Sequence, residues 1–226
     1  MSGSGFRAPL ARRSFLSRVG AGATAFAAAF AGRPPAVEAQ PAGAEPWRPV
    51  RHTQDAWLDA IPGGHRLVFD ATTAEGLSSA MSYARNYLQA NASAYQLTSA
   101  DLAVVIIARH TATVFAYTDA MWAKYPLAQT INFTDRRTKE SPTSNVYTTG
   151  RDSSLDTLAK AGVRFAVCEM ATRVFAESLA RRTSGDADAI FKDLTSNLIP
   201  NSHPVTAGIV TVNRAQERGY TLAHGG

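Results

Sequence analysis

Two spacings of apolar residues alternate along the chain. HRLVFD (65–70) and DLAVVIIAR (101–109) are short, nearly unbroken apolar runs. Runs of this length suit strands covered on both faces of a parallel sheet. Between them, Leu77, Ala80, Met81, Ala84 and Leu88 recur at helical spacing, and Thr72 with Glu75 has the spacing of a capping box. A second helical segment is predicted over about 112–124, with Val114, Phe115, Ala116, Tyr117, Met121 and Trp122. Ser153 or Ser154 then caps a short helix carrying Leu155, Leu158 and Ala159, closed by Gly162. VRFAVC (163–168) is a third strand. A helix follows with Val174, Phe175 and Leu179 inward and Arg181 and Arg182 in its last turn, where cations suit the dipole. DADAIFKDL (186–194) adds a short helix, HPVTAG a fourth strand, GIVTVNRAQERG a helix ending at Gly219, and YTLAH a fifth strand.

Strands alternating with helices imply βαβ units. The fold class expected is therefore α/β, three-layered, with a mostly parallel sheet of about five strands and helices on both faces. Residues 63–226 have the size of one domain. Residues 126–150 are polar and aperiodic and are read as a loop excursion or lid. Residues 40–62, rich in Pro, Ala and Gly around Trp47 and Trp57, are read as a linker that becomes an N-terminal arm.

Residues 1–39 differ in kind. Arg12 and Arg13 precede Ser14-Phe15-Leu16, and the apolar run Val19–Ala31 is too short for a spanning helix, which needs roughly 20 residues. With the small-residue site Val37-Glu38-Ala39, the segment reads as a secretory leader of twin-arginine type, an address and not an anchor. The alternative is an uncleaved amphipathic tail. The leader reading places the mature protein in the periplasm or outside the cell, with no stable membrane anchor after cleavage. It also changes the charge argument. The whole chain is +5, but five of its 23 Lys and Arg and one of its 18 Asp and Glu lie in 1–39. The remainder holds 18 basic against 17 acidic residues, so no basic surface argues for nucleic acid.

Ligands in parallel sheets bind beyond the carboxyl ends of the strands. Asp70 ends the first strand, His110 follows the second, and Cys168 ends the third with Glu169 next to it. Cys168 is the single cysteine, so no internal disulfide exists. An unpaired thiol in an exported chain suggests an intermolecular bond or a free, reactive group, with a small buried hydrophobe as the alternative. Thiolate is favoured at a helix N-terminus, and His110 offers a proton or a positive charge. Asp70 has a capping role as its alternative to a ligand role, and His110 has local hydrogen bonding. His203 enters its strand from the opposite end, His65 lies on the wrong edge, and His52 and His224 lie near termini. The chain has no zinc-type Cys/His spacing, Walker A sequence, GxGxxG after the first strand, or GxSxG elbow. The sequence thus implies no metal and no cofactor.

VRFAVCEMA after a Ser-capped helix and Gly162, followed by VTAGIVTVNRAQERGYTLA, resembles the DsrE/DsrF-like (sulfur-relay) proteins. ARHTATVFAYTDAMWAKY (108–125) resembles an exported branch of that family. The resemblance covers roughly 63–226. It implies a flavodoxin-like fold and a homo-oligomer, trimer or hexamer. It also implies that Cys168 carries sulfur as a persulfide, exchanging it with a small sulfur-containing ligand or a sulfur-acceptor protein. Arg109-His110 stands where many relatives place a small glycine. Three readings follow. The first is an exported sulfane-sulfur carrier using Cys168 and His110, with Asp70 and Glu169 at the ligand. The second is a non-enzymatic oligomeric module that binds a small ligand or partner. The third is a flavin or nucleotide binder, for which the phosphate-cradling glycine loop is missing.

Overall fold

The computed structural model describes residues 47–150 and 152–225. Every element below belongs to one compact unit, Pro49–Gly226. The leader reading falls outside the described residues.

All five strands anticipated from the apolar runs are present: β1 (His65–Ala71), β2 (Leu102–Ala108), β3 (Arg164–Cys168), β4 (Ser202–Val205) and β5 (Thr221–His224). They form one sheet in the order β4-β3-β2-β1-β5, with every pairing parallel. Helices cover both faces, giving the three layers of a flavodoxin-like α/β fold. The described helices are α1 (Ala56–Ala60), α2 (Ala74–Tyr95), α3 (Asp119–Lys124), α4 (Leu127–Thr130), α5 (Leu155–Lys160), α6 (Glu169–Thr183), α7 (Ala187–Ser196) and α8 (Gly208–Gln216).

The faces are unequal. Phe69, Val104, Ile106, Phe165 and Val167 point to the thicker one, where α2, α5, α6 and α7 bury Leu77, Leu158, Phe175, Leu179 and Leu194. Val68, Val105, Ile107 and Ala166 point to the other. That face is closed by Val212 and Ala215 of α8 and by Leu58 and Ile61 at the end of the N-terminal arm. The end of the arm is therefore core, not linker. Arg66 holds it by donating to the carbonyls of Leu58 (3.0 Å) and Ile61 (3.2 Å), and the Tyr220 hydroxyl donates to Leu58 at 2.8 Å.

Local chemistry sets the helix starts. Ser154 Oγ accepts from Thr157 N–H at 3.2 Å, and Asp186 caps α7 by accepting from Ala189 N–H at 2.7 Å. The cap of α2 falls one residue later than the Thr72/Glu75 box anticipated. Thr73 Oγ1 accepts from Gly76 N–H at 3.0 Å, because the Thr72 carbonyl already receives Ala112 N–H and Thr111 Oγ1. Val174 is 60% exposed and not inward; α6 buries Thr172, Phe175, Ala176 and Leu179 instead.

The predicted helix over 112–124 is two pieces. A 3-10 segment spans His110–Ala116, and α3 begins only at Asp119. Between them Thr118 N–H donates to Asn197 O, and Ile199 N–H donates to Ala116 O, so the backbone is drawn into an antiparallel bridge at Tyr117 and Leu198. The 126–150 excursion is anchored at both ends. Leu127 and Ala128 are buried in α4, and Asn145 and Tyr147 are buried at the far end, while 134–144 stays mostly exposed.

Asn145 is the polar anchor of that excursion. Its Nδ2 donates to Phe115 O (2.7 Å) and Tyr117 O (3.1 Å), and its Oδ1 accepts from Tyr147 N–H (3.1 Å). The two carbonyls are groups that the broken helix leaves without intrahelical partners. Replacing Asn145 by Ala strands them in a buried site, at roughly 1–3 kcal/mol per group left unpaired. Asn145→Ala is expected to lose about 2–4 kcal/mol of stability by urea unfolding, whereas Thr143→Ala in the exposed stretch stays within about 0.5 kcal/mol.

Candidate functional site

Right-handed crossovers that advance from β1 to β4 keep their helices on one face; the return from β4 to β5 carries α8 across the other. Connections therefore leave β3 and β4 toward opposite faces, and the crevice beyond their carboxyl ends is the switch point where such sheets bind ligands. Cys168 pairs with Val205 across this boundary. Cys168 is also the N-cap residue of α6, in extended backbone (φ −72°, ψ 109°). Its carbonyl accepts from Thr172 Oγ1 at 3.0 Å, and Thr172 in turn accepts from the Tyr117 hydroxyl at 2.8 Å. Met170 N–H donates to Thr206 O at 3.2 Å, tying the first turn of α6 to the end of β4. A crevice of about 340 Å³ adjoins this boundary, lined by Glu169, Val205, Thr206, Ala207, Val210 and Arg214, among others.

Alternation along each strand decides which side chains accompany the thiol. Asp70, Arg109 and Cys168 share the parity of Val68, Ile107 and Ala166, which face α8. Asp70 is buried, its side chain 3% exposed. Its two oxygens accept from Arg109 Nε (2.7 Å) and Nη2 (2.8 Å), a bidentate pair. Arg109 lies one position beyond the Ala108–Val167 pair of β2 and β3. Its guanidinium is held above the ordinary arginine range by the Asp70 hydrogen bonds first, opposed by burial and assisted by the charges of Asp70 and Cys168. Burial likewise pushes the Tyr117 hydroxyl well above the usual phenol range, with a lesser push from Cys168.

Gly208 is required by this arrangement. A Cβ there would sit 2.7 Å from Arg109 Cβ and 3.1 Å from its Cδ. The first residue of α8 must be glycine for the helix to pass directly over the arginine. Three elements thus fix one guanidinium. Removing Arg109 would leave the buried Asp70 carboxylate uncompensated, at about 3–5 kcal/mol.

The four residues singled out in the sequence all come to the carboxyl edge, in different situations. Cys168 is 7% exposed. Asp70 is there with both oxygens engaged by Arg109. Glu169 opens α6, half-buried beside the crevice. His110 is exposed, with its backbone in the left-handed region (φ 53°) at the start of the 3-10 segment. Sequence reasoning missed two groups. Arg109 was passed over, although strand alternation places it with Ile107. His224, set aside as terminal, pairs with Asp70 in the register of β1 and β5, its Nδ1 3.8 Å from the carboxylate. His203 is away from the edge as anticipated, stacked on Trp57 of the arm with ring centroids 4.5 Å apart.

No family model matches the chain, and no curated protein matches it. Among solved structures it is similar to MTH1491, a protein of unknown function from Methanobacterium thermoautotrophicum. That similarity has 16% identity and a TM-score of 0.38, covering 70% of this chain and 97% of the other.

Burial holds the His203 imidazole below its ordinary range, against the charges of Glu169 and Asp55. A histidine lowered in the folded state contributes stability that is full above its unfolded value of about 6.5 and is lost as pH falls through the folded value. Unfolding measured from about pH 8 to about pH 5 should therefore show a steeper loss for the wild type than for His203→Phe, which keeps an aromatic ring on Trp57 but cannot titrate. Equal slopes would mean that His203 is not a source of the acid sensitivity.

Proposed function

We propose that this protein is an exported DsrE-like carrier of sulfane sulfur and that Cys168 is the atom that carries it. One observation bears most of the weight: the single thiol is the N-cap of α6 at the switch point, with the Arg109 guanidinium within electrostatic reach. A persulfide on Cys168 would place its terminal, negatively charged sulfur between that cation and the positive end of the α6 dipole. His110, exposed at the end of β2, would hand protons between solvent and the departing or arriving sulfur. Asp70 would act through Arg109 by fixing its guanidinium, and Glu169 would border the ligand. The partners would be a small sulfur-containing ligand and a sulfur-acceptor protein.

A second reading has its own observation. Met170 and Val174 on α6 and Ile209 and Val210 on α8 are exposed apolar residues on the two helices that start at the same crevice. That surface would suit a non-enzymatic oligomeric binding module, a trimer or hexamer, in which Cys168 is a core residue.

Intact mass of the mature protein after polysulfide treatment, without reductant and beside Cys168→Ala, separates the two. The carrier gains one sulfur atom and the variant gains none. Failure of the wild type to gain sulfur, with its thiol also closed to alkylation, would leave the binding module in front. Export is testable independently. Lys in place of both Arg12 and Arg13 should abolish translocation through a twin-arginine route, so that cell fractionation finds the full-length chain in the cytoplasm.

A further inference from the structure

We infer that Arg109 makes this site selective for sulfane sulfur attached to an oxyanion, the thiosulfate type of donor; the inference rests on the reading of Cys168 as a sulfur carrier. Asp70 occupies one edge of the guanidinium, taking Nε and one N–H of Nη2. Among the described residues nothing accepts from Nη1. The edge formed by Nη1 and the second N–H of Nη2 is therefore unengaged, on a side chain that is 28% exposed. A guanidinium edge matches two oxygens of one planar or tetrahedral oxyanion. Asp70 below and Gly208 above prevent the group from turning away, so little ordering is needed when an anion arrives. The Asp70 carboxylate is already neutralised by its own pair and does not repel the ligand through an open face, being buried.

The position of the thiol adds the second half of the specificity. Arg109 and Cys168 each follow by one residue the last β2–β3 pair, Ala108 and Val167. A ligand whose oxygens rest on Arg109 would bring an attached sulfur toward Sγ. The chemistry that satisfies both groups is a sulfane sulfur bonded to a sulfonyl sulfur. In the transfer, Cys168 Sγ attacks the outer sulfur of thiosulfate and forms a new S–S bond. The bond between outer and inner sulfur breaks, and its electron pair leaves on the inner sulfur. The thiol proton departs with it, so thiol plus thiosulfate becomes Cys168 persulfide anion plus hydrogen sulfite. No external oxidant or reductant is consumed. Arg109 is the specificity-determining residue in this step, and Asp70 is its positioning residue.

The test compares two donors on the full mature protein, thiosulfate and inorganic polysulfide, the latter having no sulfonyl oxygens. Mass gain at Cys168 is followed with time. Wild type should load from thiosulfate, and in Arg109→Gln the ratio of thiosulfate to polysulfide loading rates should fall about tenfold or more, the loss expected for hydrogen bonds to a charged group. Because that variant strands the Asp70 carboxylate, Asp70→Asn/Arg109→Gln is run beside it, and Arg109→Lys keeps the charge without the fork. A comparable fall in the double variant with partial recovery in Arg109→Lys supports the assignment. An unchanged ratio in the double variant overturns it. Wild type that loads from polysulfide but not from thiosulfate overturns the oxyanion selectivity and leaves Cys168 a carrier. Loading from neither donor removes the carrier reading as well.

Discussion

A parallel sheet must be covered on both faces, and this chain reverses direction only once, after β4, to do so. Four strands are laid down in sequence with their helices on one side. The return to β5 then carries a single helix, α8, under the other. One helix cannot cover five strands. The residual apolar surface of Val68, Ala103 and Val105 is closed by Leu58 and Ile61 from the N-terminal arm, held down by Arg66 and Tyr220. The end of the arm is thus part of the domain because α8 alone leaves part of this face uncovered.

The same reversal creates the site. It makes β3 and β4 the neighbours whose connections part to opposite faces, and it drives the start of α8 over the end of β2. The buried Asp70–Arg109 pair is the electrostatic consequence. An arginine at the end of a central strand, roofed by a helix, needs a carboxylate, and Asp70, which pairs with Ile107 two positions earlier on the same face, supplies it. A cation fixed in this way beside a thiol at a helix start is a polarised environment built by four separate elements, β1, β2, β3 and α8. It is a different arrangement from a cysteine activated by a histidine alone. His110, whose backbone is left-handed, is exposed to solvent.

The excursion over 126–150 shows how polar sequence can be structural. Its amide side chain at Asn145 takes up carbonyls freed where the chain breaks between Ala116 and Asp119. The aromatic cluster of Phe115, Trp122, Phe133 and Tyr147 closes over that junction. Its exposed middle, 134–144, remains the part that can vary without disturbing the core.

The sequence by itself determined the five strands, most of the helices and the parallel class, because those follow from apolar spacing and from caps, which are local. It also brought Asp70, His110, Cys168 and Glu169 to one edge, since strand order and direction suffice for that. Its errors were of a different kind. The Thr72 cap and the continuous helix over 112–124 failed because backbone groups there are claimed by distant partners, Ala112, Asn197 and Ile199, and Val174 failed because α6 turns Thr172, Phe175, Ala176 and Leu179 to the core instead. Only the tertiary structure decided that Arg109 shares the face of Cys168, that Asp70 pairs with the arginine, and that Gly208 lets a helix pass over it. Those facts depend on strand register and on the face each side chain takes, and neither is encoded within any one local stretch of the chain.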